Sequence, residues 1–238
     1  MNLTYSEIFE VRGDSYDGAM RRFPAARAAE FAALFRRRPL TGGESVLDAP
    51  SGGGYLGGHV PAGCRVTSLE LSPQFDPDIP VVSVDGEWPV GSFDRALCLA
   101  ALHHIEDQPG FAAKLISHTR PGGVVHLADV AAGDPIGGFL DEVVGRYNGT
   151  GHEGRYITAD TFRGLDADVD SAEVRPCPWV FADEAAMVDF CMGLFGMKDC
   201  PPGLLASEMD RRVGVGRLAG GGVRLNWRLL YIDLAKPA

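Results

Sequence analysis

The sequence predicts an α/β fold, a mostly parallel sheet of seven strands with helices on both faces. Three observations carry this reading. Short apolar runs alternate with helix-patterned stretches, the order that builds a twisted parallel sheet. The run Ser45-Val46-Leu47-Asp48 passes directly into Ala49-Pro50-Ser51-Gly52-Gly53-Gly54, a strand followed by a glycine-rich turn. Acids stand where the first three strands should end, at Asp48, Glu70 and Asp85, and a parallel sheet places ligands beyond those ends.

In chain order, residues 1–22 are polar, with Tyr5, Phe9 and Tyr16 spaced through them, too thin in apolar content for a core element. They are expected to lie across another surface. Pro24 opens a helix over Pro24–Arg37 that Pro39 stops. Residues 1–40 thus read as an N-terminal helical segment covering the active site, residues 41–135 as the ligand-binding core, and residues 136–238 as the remainder of the same domain, shaping a second binding site. After the glycine turn, strands are expected at Arg65–Leu71, Val81–Val84, Phe93–Leu99 and Val124–Val130. Phe93–Leu99 is apolar enough to be buried on both faces. Pro73, Pro77 and Pro80 crowd the short stretch between Glu70 and Val81, so an open connection is expected there rather than a crossover helix. Asp107–Thr119 has helical spacing, and Arg120-Pro121-Gly122-Gly123 ends it. A helix over Phe139–Tyr147 follows Pro135, and Asn148–Tyr156 reads as a loop. Glu173–Phe181 reads as a strand, Asp183–Phe195 as a helix closed by Gly196, and Arg224–Leu234 as the last strand.

Composition removes several function classes. The 238 residues hold 22 basic against 32 acidic side chains, a net charge of −10, and no basic face large enough to neutralise phosphates, so no nucleic-acid partner is expected. The five cysteines are odd in number and contain no CxxC pair, which gives neither a disulfide framework nor a zinc site; no metal is expected. The sequence has no signal peptide and no 18-residue apolar run, so the expected location is cytoplasmic and away from the membrane. A homodimer is left open.

The glycines carry the chemistry of the first turn. Without a Cβ they adopt positive φ and let the backbone approach a ligand closely. Asp48 in front of them suits a cationic amine better than a bare pyrophosphate. A carboxylate at the second strand's tip, Glu70, is a good acceptor for paired ribose hydroxyls. One after the third, Asp85, can accept from an adenine amino group, with Leu71 or Trp88 packing nearby. Singly, such acids often only cap helices or decorate loops; three at successive strand ends beside a glycine turn argue for a nucleoside.

With these residues the chain resembles the class I S-adenosylmethionine-dependent methyltransferases, which have a Rossmann-like sheet. The matching pieces are Val46–Gly54, Leu69-Glu70, Asp85, the segment Phe93–Ile105 with Leu102-His103-His104-Ile105, and Arg120–Val124 followed by Ala128-Asp129. They occur in the family's order over roughly residues 40 to 135, with Pro50 where the family usually has Gly. The resemblance implies S-adenosyl-L-methionine as cofactor: Gly52, Gly54 and Pro50 around its methionyl part, Asp48 near its amino group, Glu70 on the ribose, Asp85, Gly86 and Leu71 at the adenine, and Ala100-Ala101 beside the sulfonium. It also implies methyl transfer to a small-molecule acceptor, oxygen before nitrogen or carbon, in natural-product or specialised metabolism. His103 is the candidate general base with Asp129 orienting it, His104 the alternative. Tyr5, Tyr16, His152 and Arg155 are candidate acceptor contacts from flanking segments, each equally readable as a packing or surface residue.

Two other readings compete. A catalytically silent S-adenosylmethionine-binding regulator or scaffold would keep the same three acids. An NAD-dependent oxidoreductase is suggested by Gly52-Gly53-Gly54-Tyr55-Leu56-Gly57, which formally satisfies G-x-G-x-x-G. Against it, Asp48 would repel a pyrophosphate, and Gly57-Gly58 with Pro61 leave little helix behind the loop.

Overall fold

The computed structural model describes residues 3–238, so the first two residues of the expected 1–40 segment lie outside it. The chain runs α1 (Tyr5–Arg22), α2 (Ala28–Leu34), β1 (Ser45–Asp48), β2 (Arg65–Ser68), β3 (Phe93–Leu99), α3 (Gln108–Ser117) and β4 (Thr119–Asp129). A helical run follows: α4 (Pro135–Gly138), a π-helical turn (Phe139–Val144) and α5 (Gly145–Tyr147). The remainder is β5 (Asp168–Pro176), β6 (Trp179–Phe181), α6 (Glu184–Leu194), α7 (Pro202–Arg212), β7 (Val215–Arg217), β8 (Val223–Leu225) and β9 (Arg228–Ala235).

The main sheet has the order β2-β1-β3-β4-β9-β5. Strands β2, β1, β3 and β4 are parallel, and β9 runs antiparallel to both its neighbours. Strand β1 sends the chain to β2 on one side and receives β3 on the other, so the chain reverses direction across the sheet beside β1. The crevice outside the carboxyl ends of β1 and β3 is therefore where this topology places a ligand.

The sheet has six strands where seven were expected. Val81 reaches Glu70 in a single parallel bridge beside β2, which is all that forms of the expected third strand. Proline cannot donate to a ladder, and Pro73, Pro77 and Pro80 lie in the connection; the connection is open, as expected.

Alternation along the strands feeds two cores. Leu47, Ala96, Cys98, Val125, Leu127, Leu230 and Ile232 point to the face covered by α3. Val46, Leu97, Ala128, Leu229 and Tyr231 point to the face covered by α2, α6 and α7. Period-two alternation with both faces apolar gives the near-continuous apolar strands of a two-sided sheet.

Other elements differ from expectation for local reasons. The polar N-terminal segment is an 18-residue helix, α1, opened by a capping box in which Thr4 and Glu7 satisfy each other's backbone amides. Its buried residues are Tyr5, Ile8, Phe9, Arg12, Gly13, Ala19 and Met20, and Tyr5, Phe9, Arg12 and the half-buried Tyr16 form one stripe at the i, i+4, i+7, i+11 spacing of one helix side. The Pro24–Arg37 helix shortens to α2. The segment Glu173–Phe181 divides between β5 and β6, and Arg224–Leu234 between β8 and β9, because β6, β8 and β7 form a second, three-stranded sheet. Helix α7 was not anticipated.

The joint between α2 and the small sheet is a buried ion pair. Glu30, fully buried, accepts from Arg27 and from the Trp179 indole N–H at 2.7 Å. Arg27 also donates to the Tyr16 hydroxyl at 2.7 Å. Breaking a buried pair from one side leaves an uncompensated charge, at a cost of about 3–5 kcal/mol. Glu30→Ala is therefore expected to lose about that much unfolding free energy in urea at pH 7. A loss below 1 kcal/mol would show that Arg27 finds another partner.

Candidate active site

At the crevice beside β1 the three glycines behave as a unit: Gly52, Gly53 and Gly54 have φ of 58°, 100° and 76°. Only glycine adopts such a run without strain. The turn lets the Gly52 amide donate to Glu70 Oε2 at 2.7 Å, beneath the loop. Ala100, just after β3, has φ 53°, a strained value for a residue with a Cβ, of order 1–2 kcal/mol. Its amide donates to Ala128 O at 2.7 Å, which holds it there.

An inner cavity opens at this point. Asp48, Pro50, Ser51, Gly52, Ala100 and Ala101 of the glycine-turn side line it, together with His103, His152 and Arg12 and the apolar side chains Leu140, Phe195 and Trp227. Asp48 is buried, and burial with the nearby Glu70 charge pushes its carboxyl up to about 8, against a smaller opposing pull from Arg27. Burial also raises Glu70, while the amides of Leu71 and Gly52 pull it back.

A second, outer cleft adjoins the first and carries Leu71, Val84, Asp85, Ile105 and Arg155. Tyr5, His103 and His152 line both spaces, so they form the partition. Burial, then the neighbouring Glu70 carboxylate, holds the Tyr5 phenol well above its usual range.

The partition is built around Asp129 at the end of β4. Its carboxylate accepts from the His103 amide at 3.0 Å, the Val130 amide at 2.7 Å and His103 Nδ1 at 2.7 Å. An ionised carboxylate can only accept, which puts the His103 proton on Nδ1 and leaves Nε2 with its lone pair. His152 repeats the arrangement: Nδ1 donates to Asp141 Oδ1 at 2.8 Å, and Asp141 also takes the Gly154 amide at 3.0 Å and the Tyr156 hydroxyl at 2.7 Å. Burial lowers the pKa of His152, with Asp141 opposing it, and holds His104 well below the usual imidazole range. One ring nitrogen from each of His103, His104 and His152 lies within 4.8 Å of the other two. Three imidazoles at that spacing, two with carboxylates behind them, are what a transition metal uses. The Arg12 guanidinium, 3.4 Å from His104 Nε2, opposes a cation there.

The expected site residues thus fall into groups. Asp48, Pro50, Gly52, Ala100, Ala101, Tyr5, Tyr16, His103 and His152 meet at the inner cavity, and Asp129 stands behind His103. Leu71, Asp85, His104 and Arg155 belong to the outer cleft, where Arg155 pairs with exposed Glu106 at 3.5 Å. Glu70 lies under the loop, 1% exposed, lining neither space. Gly54 meets Ile79 and Gly86 meets Ser83, and neither lines a cavity. Arg12 and Trp227 were missed. Arg12 was legible as the one charged member of α1's aromatic stripe; Trp227 carried no signal, since a lone Trp before a strand is ordinary core.

Comparison of the sequence with protein-family models and with curated proteins gave no match. Solved structures do match. The Burkholderia thailandensis 1,6-didemethyltoxoflavin-N1-methyltransferase is similar over all of this chain and 92% of its own, with 15% identity and a TM-score of 0.53. The Haemonchus contortus phosphoethanolamine N-methyltransferase 2 is similar over 99% of this chain and 60% of its own, at 14% identity and a TM-score of 0.61. SpnF, a cyclase, matches over all of this chain and 98% of its own, at 12% identity and a TM-score of 0.60. At these identities the likeness establishes the fold.

Asp48 makes stability depend on pH. Its folded pKa, about 8, lies above the unfolded value of about 4. The unfolded chain therefore loses this proton first, and stability falls as pH rises between those values. The thermal midpoint of the wild type should drop from pH 5.5 to pH 8.5 by more than that of Asp48→Asn. Equal drops would mean that Asp48 does not carry the dependence.

Proposed function

From a chain with the fold of the class I S-adenosylmethionine-dependent methyltransferases, we propose a methyltransferase that uses S-adenosyl-L-methionine and a small-molecule acceptor, oxygen being the atom methylated. The observation that carries it is the inner cavity itself, with a buried acid, a glycine turn and a carboxylate-backed imidazole in its walls. The acceptor belongs to natural-product or specialised metabolism, a reading supported by the cavity's apolar walls.

The residues fit the cofactor at both of its ends. Asp48 offers a carboxylate to an ammonium, and Ser51 Oγ, buried without a partner, offers a hydroxyl beside it. Asp85, exposed on the outer cleft, can accept from an adenine amino group. Tyr5 lines both spaces between them, and Glu70, buried beneath the loop, would have to be uncovered to meet a ribose. When bound, the cofactor supplies a methyl group already activated on a sulfonium.

The chain's part is then orientation and proton removal. Holding an acceptor in line can supply much of the barrier reduction, up to roughly 7–11 kcal/mol. His103 Nε2 takes the hydroxyl proton as the oxygen becomes nucleophilic, and Asp129 stabilises the resulting imidazolium while fixing the ring. Pro50, Gly52, Ala100 and Ala101 present backbone to the methionyl side. The segment 136–238 contributes Leu140, His152, Phe195 and Trp227 to the cavity wall.

A second reading, a cofactor-binding protein without turnover, is favoured by Glu70, whose carboxylate already accepts from the Gly52 and Leu71 amides. Formation of S-adenosylhomocysteine separates the two. Incubation with the cofactor and a panel of phenols, hydroxy acids and amines should yield it from the first reading only.

Calorimetry should show binding of both S-adenosylmethionine and S-adenosylhomocysteine. Because an ammonium beside Asp48 favours its ionised form, binding near pH 7 should release a proton, detected as heats that differ between buffers of unlike ionisation enthalpy. Indifference to both nucleosides would end the proposal. With an accepted hydroxyl compound, His103→Ala should slow turnover by roughly 10²–10⁴-fold; a loss under tenfold would reduce His103 to a positioning residue.

A further inference from the structure

The inner cavity contains a buried positive charge that no acid neutralises. Arg12 is 7% exposed, and its Nε and Nη1 atoms have no hydrogen-bond partner. Its Nη2 reaches only His104 Nε2 at 3.4 Å, and no acid forms an ion pair with it among the described residues. Phe9 lies 4.8 Å from the guanidinium carbon, a cation–π contact that attracts the charge but supplies no counter-charge. Burial lowers the group to about 10, which leaves it charged at neutral pH. An unpaired buried charge is costly, and cores retain one rarely unless a ligand completes it.

Arg12 is not an isolated case. Six buried side-chain atoms lack partners among the described residues, and four of them belong to Arg12, Trp227 and Ser51, all lining this cavity. Arg12 and the Trp227 indole supply unpartnered N–H donors to the cavity, whose apolar walls include Leu140, Leu194 and Phe195. Donors left open in an apolar pocket specify acceptor atoms on the occupant, and a guanidinium specifies negative ones.

We propose that the acceptor molecule carries an oxyanion, a carboxylate or a phosphate, which Arg12 binds within the inner cavity while Trp227 donates a second hydrogen bond. This rests on the methyl-transfer reading and names the substrate class of that site. The anion fixes the apolar body of the acceptor against Phe195 and turns its hydroxyl toward His103. The cofactor's own carboxylate is the other source of this chemistry. The glycine turn, however, has its own arginine, Arg27, hydrogen-bonded to Tyr16, whose hydroxyl lies 3.1 Å from where a Gly52 Cβ would stand. Arg12 instead sits among the histidines.

The test uses the whole chain and the Arg12→Met variant, which keeps the stem and removes the charge. The probes are matched hydroxyl compounds, each an aryl or alkyl carboxylate or phosphate beside its neutral amide, with S-adenosylhomocysteine formation as readout. The wild type should prefer the anionic member at least tenfold. Arg12→Met should lose that preference, bind S-adenosylmethionine within twofold of wild type, and unfold at a higher temperature. Neutral or cationic acceptors preferred by the wild type overturn the proposal, as does the absence of any anionic acceptor. An anion preference that survives in Arg12→Met also overturns it, and so does a lowered thermal midpoint, which would mark Arg12 as structurally satisfied. A tenfold loss of S-adenosylmethionine affinity in the variant reassigns Arg12 to the cofactor and overturns the acceptor assignment. Failure of the wild type to bind either nucleoside is a different result, refuting the methyl-transfer reading beneath it.

Discussion

The Asp129 carboxylate is the constraint on which the site depends. It sits at the end of β4 with no exposure and receives three hydrogen bonds, two of them from His103. That one group ties the loop after β3 to the strand beside it, sets which imidazole nitrogen faces the cavity, and keeps a negative charge behind the ring. An unpaired carboxylate at that depth would be expensive, so the two amides make the charge tolerable and the imidazole makes it useful. His152 and Asp141 repeat the device from a segment far along the chain, and the two rings converge on one space.

Helix α1 closes that space. Its stripe carries two phenols, a phenyl ring and a guanidinium across the ends of β1 and β3, while its C-terminal half packs on α6 where Gly193 allows Ala19 to approach. The helix serves as wall as well as cover. Its apolar side chains, Tyr5, Ile8, Phe9, Ala19 and Met20, are buried on one side, while the polar remainder made its composition read as polar. The charge on the stripe is what makes it a site element rather than an ordinary amphipathic face.

Much of the fold could be read directly. The Ser45–Gly54 turn, β3, β4 and the helices beginning at Asp107 and Asp183, whose side chains cap the first turn, follow from local chemistry, since apolar runs, glycines and capping acids act over a few residues. What escaped depends on distance. The small sheet is made of three-residue strands whose pairing joins Trp179 to Leu225, far along the chain. The third strand failed because prolines leave one bridge where a ladder needs several. The meeting of His152 with His103, and the isolation of Arg12 from any acid, are properties of the packed chain. For α1 the signal was present in Thr4, Glu7 and the spacing of Tyr5, Phe9, Arg12 and Tyr16, but an apolar count overlooks a helix whose inner face is aromatic and charged.

The partition formed by Tyr5 carries a kinetic consequence. Tyr5 lies in the first turn of α1, one residue beyond an exposed cap, whereas the far end of that helix is clamped on α6. Gly13 and Gly18 fall in between, each a weak link for helix propagation. Peeling of the first turns therefore needs far less disruption than lifting the whole rod. Access to the inner cavity past Tyr5 would then be paced by fraying at this end, a local unfolding step.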